Sequence, residues 1–262
     1  MTVRSRPPKF GTTSPEGKPP RLGWLDWLDI ALLLLWGLLL LKYWISGQIY
    51  VLLHPNYIWL AIAAGLMLLG IGLWRLLQRL STPARTPQQH VSLIPRRWST
   101  LLLLSIAILG LVTAPRPFTS DIALQRGITE TLSFTRPQPQ SFSAASDPSE
   151  KSLLDWVRTL NVYPEPDAYE GQPVNVDGFV VYPEEIPSGY LMISRFVITC
   201  CAADVYPVGL PVRLGGLEPP DPDQWVQISG EMATETIGDR RQLVIQADAL
   251  ENIPEPKNPY ES

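Results

Sequence analysis

Eighteen consecutive residues, 57–74 (YIWLAIAAGLMLLGIGLW), carry no charge, and an uncharged run of 17 follows at 98–114 (WSTLLLLSIAILGLVTA). A helix rises about 1.5 Å per residue, so crossing roughly 30 Å of hydrocarbon takes about 20 residues. A third run has an apolar core of only 12 residues, 30–41. It lengthens to 24–46 if Asp26 and Asp29 stand at one interface and Lys42 snorkels to the other. All three runs are apolar all round rather than on one face, which separates them from the amphipathic helices of a soluble domain. Trp24, Trp27, Tyr43, Trp44, Trp59, Trp74 and Trp98 fall near their ends, where interfacial aromatic residues belong. Residues 24–114 are therefore expected to hold three membrane spans. The first run starts near residue 24 with no A-x-A-like site after it, so a cleaved signal peptide is not expected.

Charge gives the expected orientation. Residues 1–114 hold 11 Lys and Arg against 3 Asp and Glu, a balance of +8; residues 115–262 hold 10 against 22, a balance of −12, and the two make up the net −4. Arg4, Arg6, Lys9, Lys18 and Arg21 lie before the first span, and Arg75, Arg79, Arg85, Arg96 and Arg97 between the second and third, whereas the first inter-span loop has only Lys42. The positive-inside rule then puts the N-terminus in the cytoplasm. With three spans, the acidic half is expected outside a plasma membrane that the chain crosses several times. Asp26 and Asp29 read either as first-turn acids that favour a helix N-terminus or as the lining of a path. Gly65, Gly70 and Gly72 read as close-packing positions.

Two stretches are too polar and proline-rich to offset their conformational entropy by burial. Residues 1–23 are expected as a disordered basic tail and 115–150 as a Pro/Ser-rich tether. Folded structure is expected to resume in 151–262. There Leu153, Leu154, Val157 and Leu160 fall at helical spacing behind Ser152, a good N-cap. Five β-like runs follow, at 174–182, 191–200, 205–214, 225–232 and 242–253, separated by turn-rich segments. Five short strands behind one short helix fit a small OB-like β-barrel, with Gly178 and Gly230 supplying tight bends. An SH3-like barrel or a small sandwich leaves much the same trace. The expected fold is thus a membrane α-helical region of three spans joined to an all-β, OB-like domain. OB barrels that bind nucleic acid do so through an electropositive groove, and a half at −12 argues against that use.

Both cysteines of the chain are adjacent, in RFVITCCAADVYPVG at 195–209. A pair of this kind cannot be a disulfide framework, and it falls short of the four ligands of a structural zinc site. Successive side chains on a regular strand point to opposite faces, so Cys200 and Cys201 converge only if the strand stops there. A one-turn helix at 202–204 would stop it. Converging thiols suit zinc, Cu(I) or trivalent arsenic. Asp204 offers an oxygen, and Arg195, if close, would lower a thiol pKa. Three readings stay open: a thiophilic-ion site, a redox pair able to form a strained vicinal disulfide, and two small buried hydrophobes in a structural or interaction module.

The segment RFVITCCAADVYPVGLPV resembles the signature of the YcgQ-like bacterial membrane proteins, an uncharacterised family. The resemblance extends to a Y-x-x-x-H-P turn between the first two spans (50–55), Arg126-Gly127 after the third, and Gly178-Phe179-Val180 in the C-terminal domain. It implies an accessory subunit of a small-solute or metal-ion permease that is encoded separately. Under this reading Cys200, Cys201 and Asp204 are candidate metal ligands, and His54, in LLHPNY, is a weaker fourth. Zinc or another thiophilic ion is the ligand implied, and no other cofactor is. The chain carries none of the nucleophile-elbow, phosphate-loop, zincin or dinucleotide motifs, so catalysis is not expected.

Overall fold

A computed structural model describes residues 24–81, 95–128 and 147–261. They form two compact bodies, one of residues 24–39, 64–81 and 95–112, the other of residues 40–63, 113–128 and 147–261.

Among the described residues there are three long apolar helices: α1 (Trp24–Ile45), α2 (Ile58–Ser81) and α3 (Arg96–Val112). Trp24–Ile45 and Pro55–Ser81 are long and apolar enough to cross a membrane, with 22 and 27 residues. Only 17% and 11% of their apolar stretches are buried, unlike the core helices of a soluble protein. The third expected span is shorter: the 17 residues of α3 reach only about 25 Å at 1.5 Å per residue.

In the first body, glycine governs the packing of α1 and α2. A Cβ on Gly37 would lie 2.7 Å from Leu69 Cγ and 2.9 Å from the Gly65 carbonyl oxygen, and one on Gly72 would lie 2.8 Å from Leu34 Cδ2. Small residues let helix backbones approach in this way. Gly70 does not share in it, having nothing within 4 Å of its Cβ position. Asp26 is ion-paired to Arg79 at 3.2 Å, and Asp29 accepts a hydrogen bond from the buried Thr100 hydroxyl at 3.0 Å. The two acids join helices and are not simply solvated first-turn residues.

The second body is built on a six-stranded sheet: β1 (Pro173–Val181), β2 (Tyr190–Val197), β3 (Tyr206–Arg213), β4 (Trp225–Ile237), β5 (Arg240–Asn252) and β6 (Tyr260–Glu261). Its order is β1-β4-β5-β3-β2-β6, and β1 also pairs with β2, so each of the first five strands is bonded to two others among them. The pairs are antiparallel except β3 with β5 and β2 with β6. β4 and β5 run five and two residues beyond the expected limits, up to a tight turn at Gly238, whose φ of 61° suits glycine.

Two glycines let the sheet fold back on itself. β1 changes partner near Gly178, where a Cβ would lie 2.6 Å from the Ser194 carbonyl oxygen of β2. Gly230 sits at a β-bulge between β4 and β5, where a Cβ would lie 2.0 Å from the Gln246 carbonyl oxygen. A bulge bends a strand and increases its twist.

The main core lies between the sheet and α5 (Leu153–Val162). Ser152 caps α5 as expected, and Asp155 completes a capping box with it. Trp156, fully buried, meets Tyr169 edge-on at 6.1 Å. A second apolar cluster covers the opposite face of β1 and β2 and joins Phe179, Met192 and Phe196 to Val51, Phe118 and Ala123. This is why nearly every residue of β2 is buried instead of alternate ones.

Ala123 belongs to α4 (Ser120–Arg126), which lies inside the stretch expected as a tether. Residues 120–126 are instead a helix held to the domain. Asp223 Oδ1 accepts the Ser120 N–H, and Arg126 donates to the Val205 carbonyl while its guanidinium stacks over Phe118. The expected tail at 1–23 and residues 129–146 of the tether lie outside the described residues.

Candidate functional site

β2 ends at Val197, three residues short of the expected limit at Cys200, so both cysteines stand outside the strand. Residues 202 and 203 make a turn rather than a one-turn helix. Freed from strand alternation, the two side chains point the same way, and their sulfurs lie 3.6 Å apart, in hydrogen-bond contact and not joined in a disulfide. Cys200 is exposed and Cys201 half-buried, so the pair is not a pair of core hydrophobes.

Asp204 organises the turn. Its Oδ2 accepts the Cys200 N–H at 2.9 Å, and its Oδ1 accepts the Cys201 N–H at 3.2 Å. Burial opposes the charge on this carboxyl, but hydrogen bonds from the Cys200 thiol and from the N–H groups of Cys201, Cys200 and Thr199 outweigh it, so its pKa falls below the usual value. The same contact acts the other way on the thiol. Donating to Asp204, and next to Cys201, Cys200 has its pKa pushed up to about 11. The expectation that Arg195 would lower a thiol pKa is not met: Arg195 is occupied by Asp177, Glu261 and the Trp225 ring.

Ligating atoms of Cys200, Cys201 and Asp204 lie within 4.8 Å of one another, the one such group among the described residues. His54, about 150 residues earlier in the chain, is brought alongside by its backbone. Its N–H donates to the Cys200 carbonyl at 3.2 Å, the Ala202 N–H donates to the Leu52 carbonyl at 2.9 Å, and Leu53 and Cys201 form an antiparallel bridge. The imidazole does not join the group. Its Nδ1 accepts the Asn56 N–H at 3.1 Å and caps a short helical turn. Nδ1 is thereby used as an acceptor.

Nothing in the sequence marked two further contributors, because each acts through the backbone or from the far end of the chain. Tyr260 donates its hydroxyl to the Val51 carbonyl at 3.3 Å, and burial pushes its pKa up to about 12. Glu261 offers its backbone oxygen to the Ile198 N–H and its carboxylate to Ser152 and the Leu154 N–H. These bonds tie β6 both to the start of α5 and to the approach to the cysteines.

Glu261 also gives the domain a pH dependence. Desolvation raises its pKa above the ordinary 4.5, against the opposing pull of Arg195 and two hydrogen bonds. A carboxyl whose folded pKa is raised stabilises the fold fully below its unfolded pKa, and that contribution is lost as pH rises through the folded value. Denaturation midpoints measured from about pH 4 to neutrality should therefore fall more steeply in the native protein than in Glu261→Gln. Lowered carboxyls such as Asp147 act in the opposite sense, but they are common to both proteins and cancel in the difference. Parallel curves would rule this linkage out.

No curated protein and no solved structure matches this chain. Residues 149–261 match the family model described as the DUF1980 C-terminal domain. That span takes in α5, all six strands and the Cys-Cys-Ala-Ala-Asp turn, and the match supports assigning this domain to an uncharacterised family.

Proposed function

We propose that this protein is a membrane accessory subunit that captures a thiophilic ion at Cys200 and Cys201 and serves a separately encoded permease. The observation that carries the reading is the convergence of two free thiols, sulfurs 3.6 Å apart, on an accessible turn. Free thiols are more often buried, and adjacent ones diverge on a strand; here both tendencies are overridden by one aspartate. Binding is the role this reading gives the group, whose two thiols and one carboxylate are all ligand types.

The placement of the site supports a task at the membrane. The turn is bonded through its backbone to residues 52–54, the segment that links the two long apolar helices. In this reading α3 is a third, short span, the N-terminus is cytoplasmic and the thiols face outward. The ring of strand pairings is a small OB-like barrel, with β3 and β5 as its parallel pair. The permease partner comes from the YcgQ-like resemblance, and membrane lipid is the other partner implied. The hollow of about 600 Å³ around Gly230 is lined by Glu231, Asp248 and Glu251; it opposes phosphate, so nucleic acid has no place in the proposal.

The test is ion binding to the purified full-length protein in detergent. Native protein should bind zinc or arsenite at one equivalent, and Cys200→Ser/Cys201→Ser should bind at least about 100-fold more weakly, since losing two thiolate bonds exceeds two tenfold steps. Equal binding by both proteins would end the proposal. Labelling of Cys200 in intact cells by a membrane-impermeant maleimide checks sidedness, and a label that appears only after lysis would place the thiols inside.

A further inference from the structure

The donor set narrows what the thiol pair can hold. Each Asp204 oxygen already accepts a backbone N–H of the turn, and the Cys200 thiol adds a third hydrogen bond. His54 Nδ1 is engaged by Asn56. The two sulfurs are the donors of this group that no backbone N–H engages, and their thiol protons leave on ligation. At metal–sulfur distances of about 2.3 Å, sulfurs 3.6 Å apart subtend roughly 100° at a shared ion. That angle excludes a straight two-coordinate bridge. It suits either a tetrahedral ion, which needs two more ligands, or a pyramidal three-coordinate centre, which needs at most one.

We infer that Asp204 is a positioning residue rather than a ligand, and that Cys200 and Cys201 form a bent chelate for a three-coordinate trivalent arsenical. The inference rests on the thiol-capture reading above and makes it specific. Both backbone N–H groups bound by Asp204 belong to the cysteines themselves, so its carboxylate sets the direction in which each side chain leaves the turn. An arsenical fits this arrangement because its third substituent comes with it. Phenylarsine oxide brings a phenyl carbon. Its condensation with the pair breaks two S–H bonds and the As–O linkage and makes two As–S bonds. One water leaves, and the arsenic stays trivalent throughout.

Phenylarsine oxide also separates positioning from ligation, since phenyl carbon and two sulfurs fill all three positions and leave none for a carboxylate. The full-length protein in detergent should bind it at one equivalent. Asp204→Asn, which keeps the side-chain shape but loses the charge that strengthens the hydrogen bonds, should bind it about tenfold more weakly, the scale of one charge-assisted hydrogen bond. Asp204→Glu, with its carboxylate displaced by one methylene, should be weakened similarly. Melting midpoints near native, with two thiols titrated per chain, establish that the variants are folded.

If both variants hold phenylarsine oxide as tightly as native protein while binding zinc more weakly, Asp204 is a ligand and the inference falls. It falls also if native protein binds zinc at the cysteines but not the arsenical. If Cys200→Ser/Cys201→Ser binds both probes as well as native protein does, the capture reading itself has failed.

Discussion

Truncating Trp156 to alanine should cost the C-terminal domain about 3–5 kcal/mol, the range for removing a large aromatic from a packed core. Domains are stable by only about 5–15 kcal/mol, so the variant should unfold near or below growth temperature. The residue is fully buried on α5, stands edge-on to Tyr169 and carries the Lys151 ammonium 4.4 Å over its ring. α5 is the helix that closes the main core, so the cavity would open between it and β1, β2 and β3. A denaturation curve on the full-length protein, followed by near-ultraviolet circular dichroism, measures the effect. A shift smaller than about 1 kcal/mol, the typical cost of an ordinary point change, would mean that the helix is not an integral wall of this core.

Replacing Arg195 by alanine should have an effect of similar size and a different signature. The guanidinium is nearly buried on β2, donates to Asp177 Oδ2, lies 3.9 Å from Glu261 Oε1 and rests 5.1 Å from the centre of the Trp225 ring. Removing one member of a buried ion pair costs about 3–5 kcal/mol because the other charge is stranded. Here the stranded group is Glu261, whose carboxyl is already pushed up by desolvation. Without Arg195 its pKa should rise further. The penalty should therefore be greatest at neutral pH and shrink toward pH 4, as Glu261 takes up a proton. A loss that is the same at both pH values would show that packing against Trp225 outweighs the charge. Arg195→Met, which keeps much of the apolar stem, separates the two contributions.

Sequence reading succeeded where the signal was local. The spacing of Leu153, Leu154, Val157 and Leu160 behind Ser152 predicts α5 to within two residues at its end. The β-like runs mark all five long strands, because turns containing proline or glycine separate every consecutive pair except β2 and β3. Gly178 and Gly230 stand where backbone approaches backbone. α4 leaves little trace in the sequence, because seven helical residues in a proline-rich stretch show barely two turns of periodicity. Its signals were Thr119 before it and Gly127, at φ 76°, after it.

The site itself was legible only in composition. That two adjacent cysteines and an aspartate belong together is visible in the sequence; that they converge depends on β2 ending at Val197, which the β-like residues continuing to Cys200 conceal. β6 is two residues long and offers no pattern to read. The neighbourhood of His54 joins segments about 150 residues apart through main-chain bonds, and such bonds leave no trace in side-chain identity.

The bridge from Leu53 to Cys201 bears on the order in which the protein is assembled. Closing a loop of that length is entropically slow, and synthesis delivers Leu53 long before its partner. The loop between the first two apolar helices must wait, with Val51 and the Leu52 carbonyl unsatisfied, until the C-terminal sheet has emerged. By the same logic, the stretch 149–261 made by itself would lack Val51, Phe118 and Ala123 from its second apolar cluster and the backbone partners that fix its thiol turn. What looks in the sequence like a detachable soluble module is a structure completed from its N-terminal side.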